Sequence, residues 1–179
     1  GSAGVCLTGE SFENPATPPG FCMLLRKHLA GGRLLDIRME PGERIVFFDF
    51  QCVNEMGDLV KNTLAAELMG RYSNLVLVQD GRILDALKRV DFEDSAIRQL
   101  LPGLPYTMPP RPARPDFFSV SSAALVALAM QKDLPVAAAL MKSCGGVGPV
   151  VCREAAFRAL GDSHRPANEL TAAEQSALA

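Results

Sequence analysis

The chain has 179 residues and 19.2 kDa, with 48% hydrophobic and 21% charged residues, so it can bury a core or two small ones and is not a disordered polyelectrolyte. A net charge of −2 and a pI near 5.7 exclude a globally basic nucleic-acid binder, so any such contact has to be a local patch. The most apolar stretch, Val120 to Met130, is far short of the ~20 apolar residues of a membrane-crossing helix. Gly1-Ser2-Ala3-Gly4 reads as a cloning scar, and nothing after it has the order of a secretory signal.

Taken in chain order, Pro18-Pro19-Gly20 precedes Phe21 to Leu29, where Phe21, Leu24, Leu25 and Leu29 fall at helical spacing and predict an amphipathic helix that buries them. Gly31-Gly32 ends it. Five segments rich in branched and aromatic residues follow: Arg33 to Met39, Arg44 to Val53, Leu59 to Leu68, Asn74 to Val78 and Arg82 to Leu87. The turn signals between them are Pro41-Gly42, Asn54 to Gly57, Gly70 and Asp80-Gly81. Connections this short join antiparallel neighbours only, so the segments predict an antiparallel meander.

Pro102 to Pro115 contains six prolines and cannot be helix interior or central strand, which makes it a boundary. Past it the pattern turns helical. Ser119, Ser121 or Ser122 caps a helix to Met130, Pro135 opens a second to Lys142, Pro149 opens a third that stops at Gly161, and Leu170 to Ala179 is a weak last helix. The division expected is residues 5–110 as one domain, 111–118 as a proline-rich linker and 119–179 as a helical domain.

Gly145-Gly146-Val147-Gly148-Pro149 lies between two helical patterns. Glycines permit a tight reversal, and Pro149 leaves the following N–H groups pointing outward, as in a helix-hairpin-helix that seats a phosphate on Gly146, Gly148 and the helix start, with Arg153 nearby. The same turn also serves as a purely structural connection. A basic group, Arg26, Lys27 and His28, with Arg33, Arg38 and Arg44 on nearby segments, is a second candidate or simply a solvated face. Asp49, Asp58 and Asp85 read as solvated or capping residues at turns and strand ends. With two histidines, no paired-carboxylate site and no glycine loop followed by lysine, the residues supply neither metal cluster, nucleophile-base pair nor nucleotide site. No enzyme activity, cofactor or metal is expected. Cys6, Cys22, Cys52, Cys144 and Cys152 lack paired spacing and read as buried thiols of a reducing compartment.

Longer strings carry a resemblance. PATPPGFCMLLRKHLAGGRL (Pro15 to Leu34), GERIVFFDF, NEMGD, ELMGRYSNLVLV, GRILDALKRV and RQLLPGLPYTMPP occur in this order through Pro110 and resemble the N-terminal domain of the RqcH/NEMF (NFACT) family, which includes proteins labelled fibronectin-binding protein A. GGVGPVVCREAAFRAL falls where that family places its helix-hairpin-helix. The resemblance implies an α+β fold: a β-sandwich-like antiparallel sheet with a packed helix, similar to the N-terminal domain of formamidopyrimidine-DNA glycosylases, then a small all-α unit. Glycosylase chemistry uses an N-terminal proline amine, which this chain does not present. The family's first strand and helix are not matched, so an open or partnered sheet edge is expected.

The resemblance further implies a cytoplasmic protein that binds tRNA and the large ribosomal subunit and recruits alanyl-tRNA for alanine tailing of stalled chains, the ribosome itself forming the bonds. The family's Asp-Arg pair before a strand, used in tRNA engagement, matches Glu43 and Arg44. Glutamate keeps the charge on a longer arm. Adhesion to fibronectin or fibrinogen is the alternative the family's labels raise.

Overall fold

The computed structural model describes residues 3–40, 42–111 and 113–179; Gly1 and Ser2 of the expected scar, Pro41 of the first turn and Pro112 of the proline-rich stretch lie outside them. Two compact units divide the chain, Gly1–Pro110 and Arg111–Ala179.

The first unit opens with α1 (Gly20–Leu29), followed by β1 (Arg33–Met39), β2 (Ile45–Val53), β3 (Leu59–Glu67), β4 (Asn74–Gln79) and β5 (Arg82–Ala86). The strands form one antiparallel sheet of five in the order β1-β2-β3-β4-β5. The turns explain this meander. Glu43 N–H donates to the Glu40 carbonyl at 3.0 Å, closing a turn in which Gly42 has φ +73°. Asp80 and Gly81, with φ of 51° and 76°, form the left-handed pair whose twist suits a two-residue hairpin. One sheet face carries Ile45, Phe47, Ala65, Val76, Val78, Ile83 and Ala86, covered by the returning segment through Leu100 and Tyr106. Each such side chain removed from water is worth about 1.5–3 kcal/mol for the larger aliphatics. The return is pinned by backbone pairs, Ile83 N–H to Leu104 O and Tyr106 N–H to Gly81 O at 2.8 and 2.9 Å.

The expected burial of the α1 apolar residues, and of Cys6 and Cys22, needs correction. Phe21, Leu24, Leu25 and Leu29 of α1 are only partly buried, and the helix has no fully buried residue. Its ties to the sheet gather at its C-terminal end, where Asn62 Nδ2 donates to the His28 carbonyl at 2.8 Å and Gly32 lies against Cys52. Strand β1 is an edge strand exposed at every residue, including Leu34, Leu35, Ile37 and Met39, so the expected open edge is present among the described residues. Cys6 is exposed and Cys22 partly so, whereas Cys52, Cys144 and Cys152 are buried; all five are free thiols.

The second unit contains α2 (Ser122–Met130), α3 (Val136–Ser143), α4 (Pro149–Leu160) and α5 (Ala172–Leu178). Ser121 caps α2, accepting from Ala124 N–H, and Thr171 and Glu174 form a capping box on α5. Gly161 ends α4 in the left-handed conformation, φ 72°. The core is built from small residues, Ala129, Ala139, Ala156 and Ala167 with Leu125, Val136, Leu140 and the two buried cysteines, which lets short helices approach closely. Residues 114–118 fold onto this unit: Gly145 N–H donates to Pro115 O and Phe117 N–H to Gly145 O, at 2.9 and 3.0 Å.

Candidate nucleic-acid interface

Arg44 immediately precedes β2 and is exposed. Its carbonyl accepts from Leu68 N–H at 2.7 Å, which extends the β2–β3 pairing past Ile45↔Glu67 and fixes the backbone from which the guanidinium projects. Glu43 is half-buried and engaged within the chain. Behind this strand end, Glu67 is 1% exposed and held in a fork by Arg98, with Nη2 to Oε1 at 2.6 Å and Nη1 to Oε2 at 3.1 Å. Tyr106 Oη donates to the same Oε1 at 2.9 Å, and burial together with the Glu67 charge pushes the Tyr106 phenol well above its ordinary value.

The sequence reading grouped Arg26 and Lys27 with Arg44; the fold separates them. Lys27 pairs with Glu55, in the turn after β2, at 2.8 Å, whereas Arg44 stands at the start of β2. Nine residues of strand, about 30 Å, lie between those ends. Arg26 is exposed on the last turn of α1, beside Lys27 and His28, where cations complement the helix C-terminus.

Asp49 was expected to be a solvated or capping residue. It lies mid-strand in β2 and is 3% exposed, bonded to Thr63 Oγ1 at 2.6 Å, Lys61 Nζ at 3.0 Å and Arg38 Nε at 3.2 Å. Burial alone would raise its carboxyl pKa; the bonds from Thr63, Lys61 and Arg38 outweigh it and hold the group below the usual value. Arg38, the cross-strand partner of Phe47, stacks its guanidinium 4.1 Å from that ring's centroid.

In the second unit, Gly146 takes φ 85° and Gly148 caps α4 without a side-chain hydrogen bond. Cys152 N–H makes the first intrahelical bond, to Gly148 O at 3.2 Å, so the N–H groups of Val150 and Val151 are the helix-end donors left over by geometry. Gly145 is occupied by Pro115 and Phe117, and Arg153 is exposed one turn into α4. Gly146, Gly148 and Arg153 thus share one helix start, and Arg44 belongs to a different unit. The turn after β3, marked in the sequence by Gly70, is a 3-10 turn at Gly70–Tyr72; its exposed Arg71 and Tyr72 were not among the candidate residues. Among the described residues no group of three or more His, Cys, Asp or Glu could hold a metal, and no helix is long and apolar enough to cross a membrane.

A five-stranded meander with a buried Glu-Arg fork at one end, followed by a helical unit turning on a glycine hairpin, defines an α+β class that matches the family described as NFACT N-terminal and middle domains over residues 1–179; the chain belongs to that family. It is 33% identical over 157 residues to "Rqc2 homolog RqcH" of Bacillus subtilis (strain 168), covering 87% of this chain and 28% of the relative, so it spans well under half of that protein. Among solved structures it is similar to the N-terminal domain of fibronectin-binding protein PavA from Streptococcus pneumoniae, with 35% identity, TM-score 0.66, and 82% and 58% of the two chains covered. The N-terminal part of the fibronectin/fibrinogen-binding protein of Streptococcus suis matches at 30% identity and TM-score 0.69, covering 96% and 60%.

Proposed function

We propose that this chain is the RNA-engaging part of a cytoplasmic ribosome quality-control protein, which binds tRNA on the large ribosomal subunit and recruits alanyl-tRNA for alanine tailing of stalled nascent chains. It performs no bond-making of its own. The observation that carries this reading is Arg44: an exposed residue on a backbone locked by the Leu68 N–H bond, at the position that the sequence resemblance matches to the family's tRNA-engaging arginine. A planar fork on a rigid strand end suits phosphate and base edges. The uncapped start of α4, beyond Gly148, supplies N–H donors for a second phosphate contact.

Sedimentation tests it. The protein should pellet with large ribosomal subunits carrying tRNA and far less with empty subunits, and the difference should shrink as salt rises. Equal pelleting with both would refute the tRNA dependence. The names of the two streptococcal neighbours favour a second reading, matrix adhesion, which predicts instead saturable binding to immobilised fibronectin and no enrichment on subunits.

A further inference from the structure

We infer that the open edge of β1 joins two copies of this chain across a two-fold axis, β1 against β1, with Ile37 on the axis and Asp36 of each copy against Arg38 of the other. This is independent of the RNA reading, since it uses the open side of the strand and needs no RNA.

β1 pairs only with β2, so its outer side carries unused N–H and C=O groups. Its apolar residues lie open with it: Leu34, Leu35, Ile37 and Met39 are between 45% and 64% exposed. An apolar edge of this kind invites a further strand. The opposite edge does not. The outer side of β5 is already taken by the returning segment, through Ile83 N–H to Leu104 O and Gly103 N–H to Ile83 O, both at 2.8 Å. With β1 the one open edge among the described residues, strand addition closes at two copies in place of growing into a ladder.

The strand's own charges select the occupant and the register. Two copies of one strand related by a two-fold axis run antiparallel, and opposed residues share a sheet face, so the axis passes through a residue and not between two. Of the axes through the middle of the strand, those on Asp36 or Arg38 set like charges against each other. On Ile37, Asp36 of each copy faces Arg38 of the other, Ile37 meets its own counterpart, and Leu35 comes opposite Met39. Of these three registers, that one sets acid against base and apolar against apolar. Both charged residues have room for the contact. Asp36 is exposed, and Arg38 uses Nε on Asp49 while its side chain stays 46% exposed. The bulge between Leu34 and Asp36 bends the strand ahead of the axis, which leaves the regularly paired residues from Asp36 to Met39 to carry the contact.

Sedimentation equilibrium of the 179-residue chain tests the association, and cysteine cross-linking tests the register. The parent should show a reversible equilibrium between monomer and dimer, with no larger species. Asp36→Lys sets a lysine against Arg38 at both ends of the contact and should weaken the dimer by about tenfold or more. Its melting curve should overlay the parent's at a concentration where both are monomeric, because Asp36 is exposed. In a Cys6→Ser, Cys22→Ser background, which removes the thiols that are not buried, Ile37→Cys should form a disulfide dimer on air oxidation. Opposed Cα atoms of an antiparallel pair fall within disulfide range. Met39→Cys alone should not link, its opposed residue being Leu35 of the other copy, whereas a mixture of Leu35→Cys and Met39→Cys chains should. A chain that stays monomeric at its highest soluble concentration leaves the edge to a strand of another protein and overturns the proposal. So does an Asp36→Lys variant that dimerises like the parent, or a Met39→Cys chain that links to itself as readily as Ile37→Cys.

Discussion

Arg98 holds Glu67 in a two-pronged fork, at 2.6 and 3.1 Å, although Glu67 is 1% exposed and the two residues are 31 positions apart. The fork joins the segment after β5 to the end of β3, one residue before the Leu68 N–H that fixes Arg44. Arg98→Ala should therefore cost about 3–5 kcal/mol, because it strands a buried carboxylate. Urea unfolding of the first unit's transition checks this, and a loss below about 1 kcal/mol would show that the fork contributes little.

Asp49 makes stability depend on pH in a definite direction. Its folded-state carboxyl lies below the ordinary aspartate value, since the Thr63, Lys61 and Arg38 bonds outweigh burial. Such a group contributes its stabilisation above the unfolded value of about 3.9, and that contribution is lost as pH falls through the lower folded value. Between pH about 5 and 3 the parent should lose more stability than Asp49→Asn, which has no charge to protonate. Parallel pH-stability curves would contradict the assignment.

Two glycines should fail for different reasons. A Cβ at Gly32 would meet Cys52 Sγ at 2.6 Å and the Leu29 carbonyl at 3.0 Å, so Gly32→Ala must displace the junction of α1 with the sheet. Adding Cys52→Ala should restore part of the lost melting temperature. Gly146→Ala meets only Asp116 Oδ1, at 3.7 Å, but stands at φ 85°, and should cost the helical unit about 1–2 kcal/mol through the backbone alone. Thermal melting of both variants, with no recovery of Gly146→Ala by changes at Asp116, would match this account.

Much of the fold was legible because its punctuation is local. Gly42, Asp80-Gly81, Ser121 and Gly161 state their turn or cap in one or two residues, and the strands follow within a residue of the turns. Register is not local. Asp49 sits in FFDF on the same face as Phe47, and its burial depends on Thr63 being its cross-strand partner and Lys61 its diagonal neighbour, pairings that alternation within β2 does not reveal. The separation of Lys27 from Arg44 has the same origin, since sequence proximity says little about which end of a strand a residue reaches. Arg71 and Tyr72 were missed because G-R-Y reads as a turn, and only the fold shows that the turn lies beside Lys88. Partial burial of α1 also escaped the helical pattern, which marks an apolar stripe without saying how fully the sheet covers it.

The central claim is that Arg44 serves RNA and leaves the fold alone. Arg44→Ala keeps the Leu68 N–H to Arg44 O bond, which belongs to the backbone, and removes a side chain that is exposed. The measurement is recruitment of tRNA to large ribosomal subunits by the Arg44→Ala protein, read beside its melting temperature. The account predicts melting within about 0.5 kcal/mol of the parent, as for an exposed substitution, together with loss of recruitment. Recruitment at the parent's level, or a variant that simply unfolds, would contradict it.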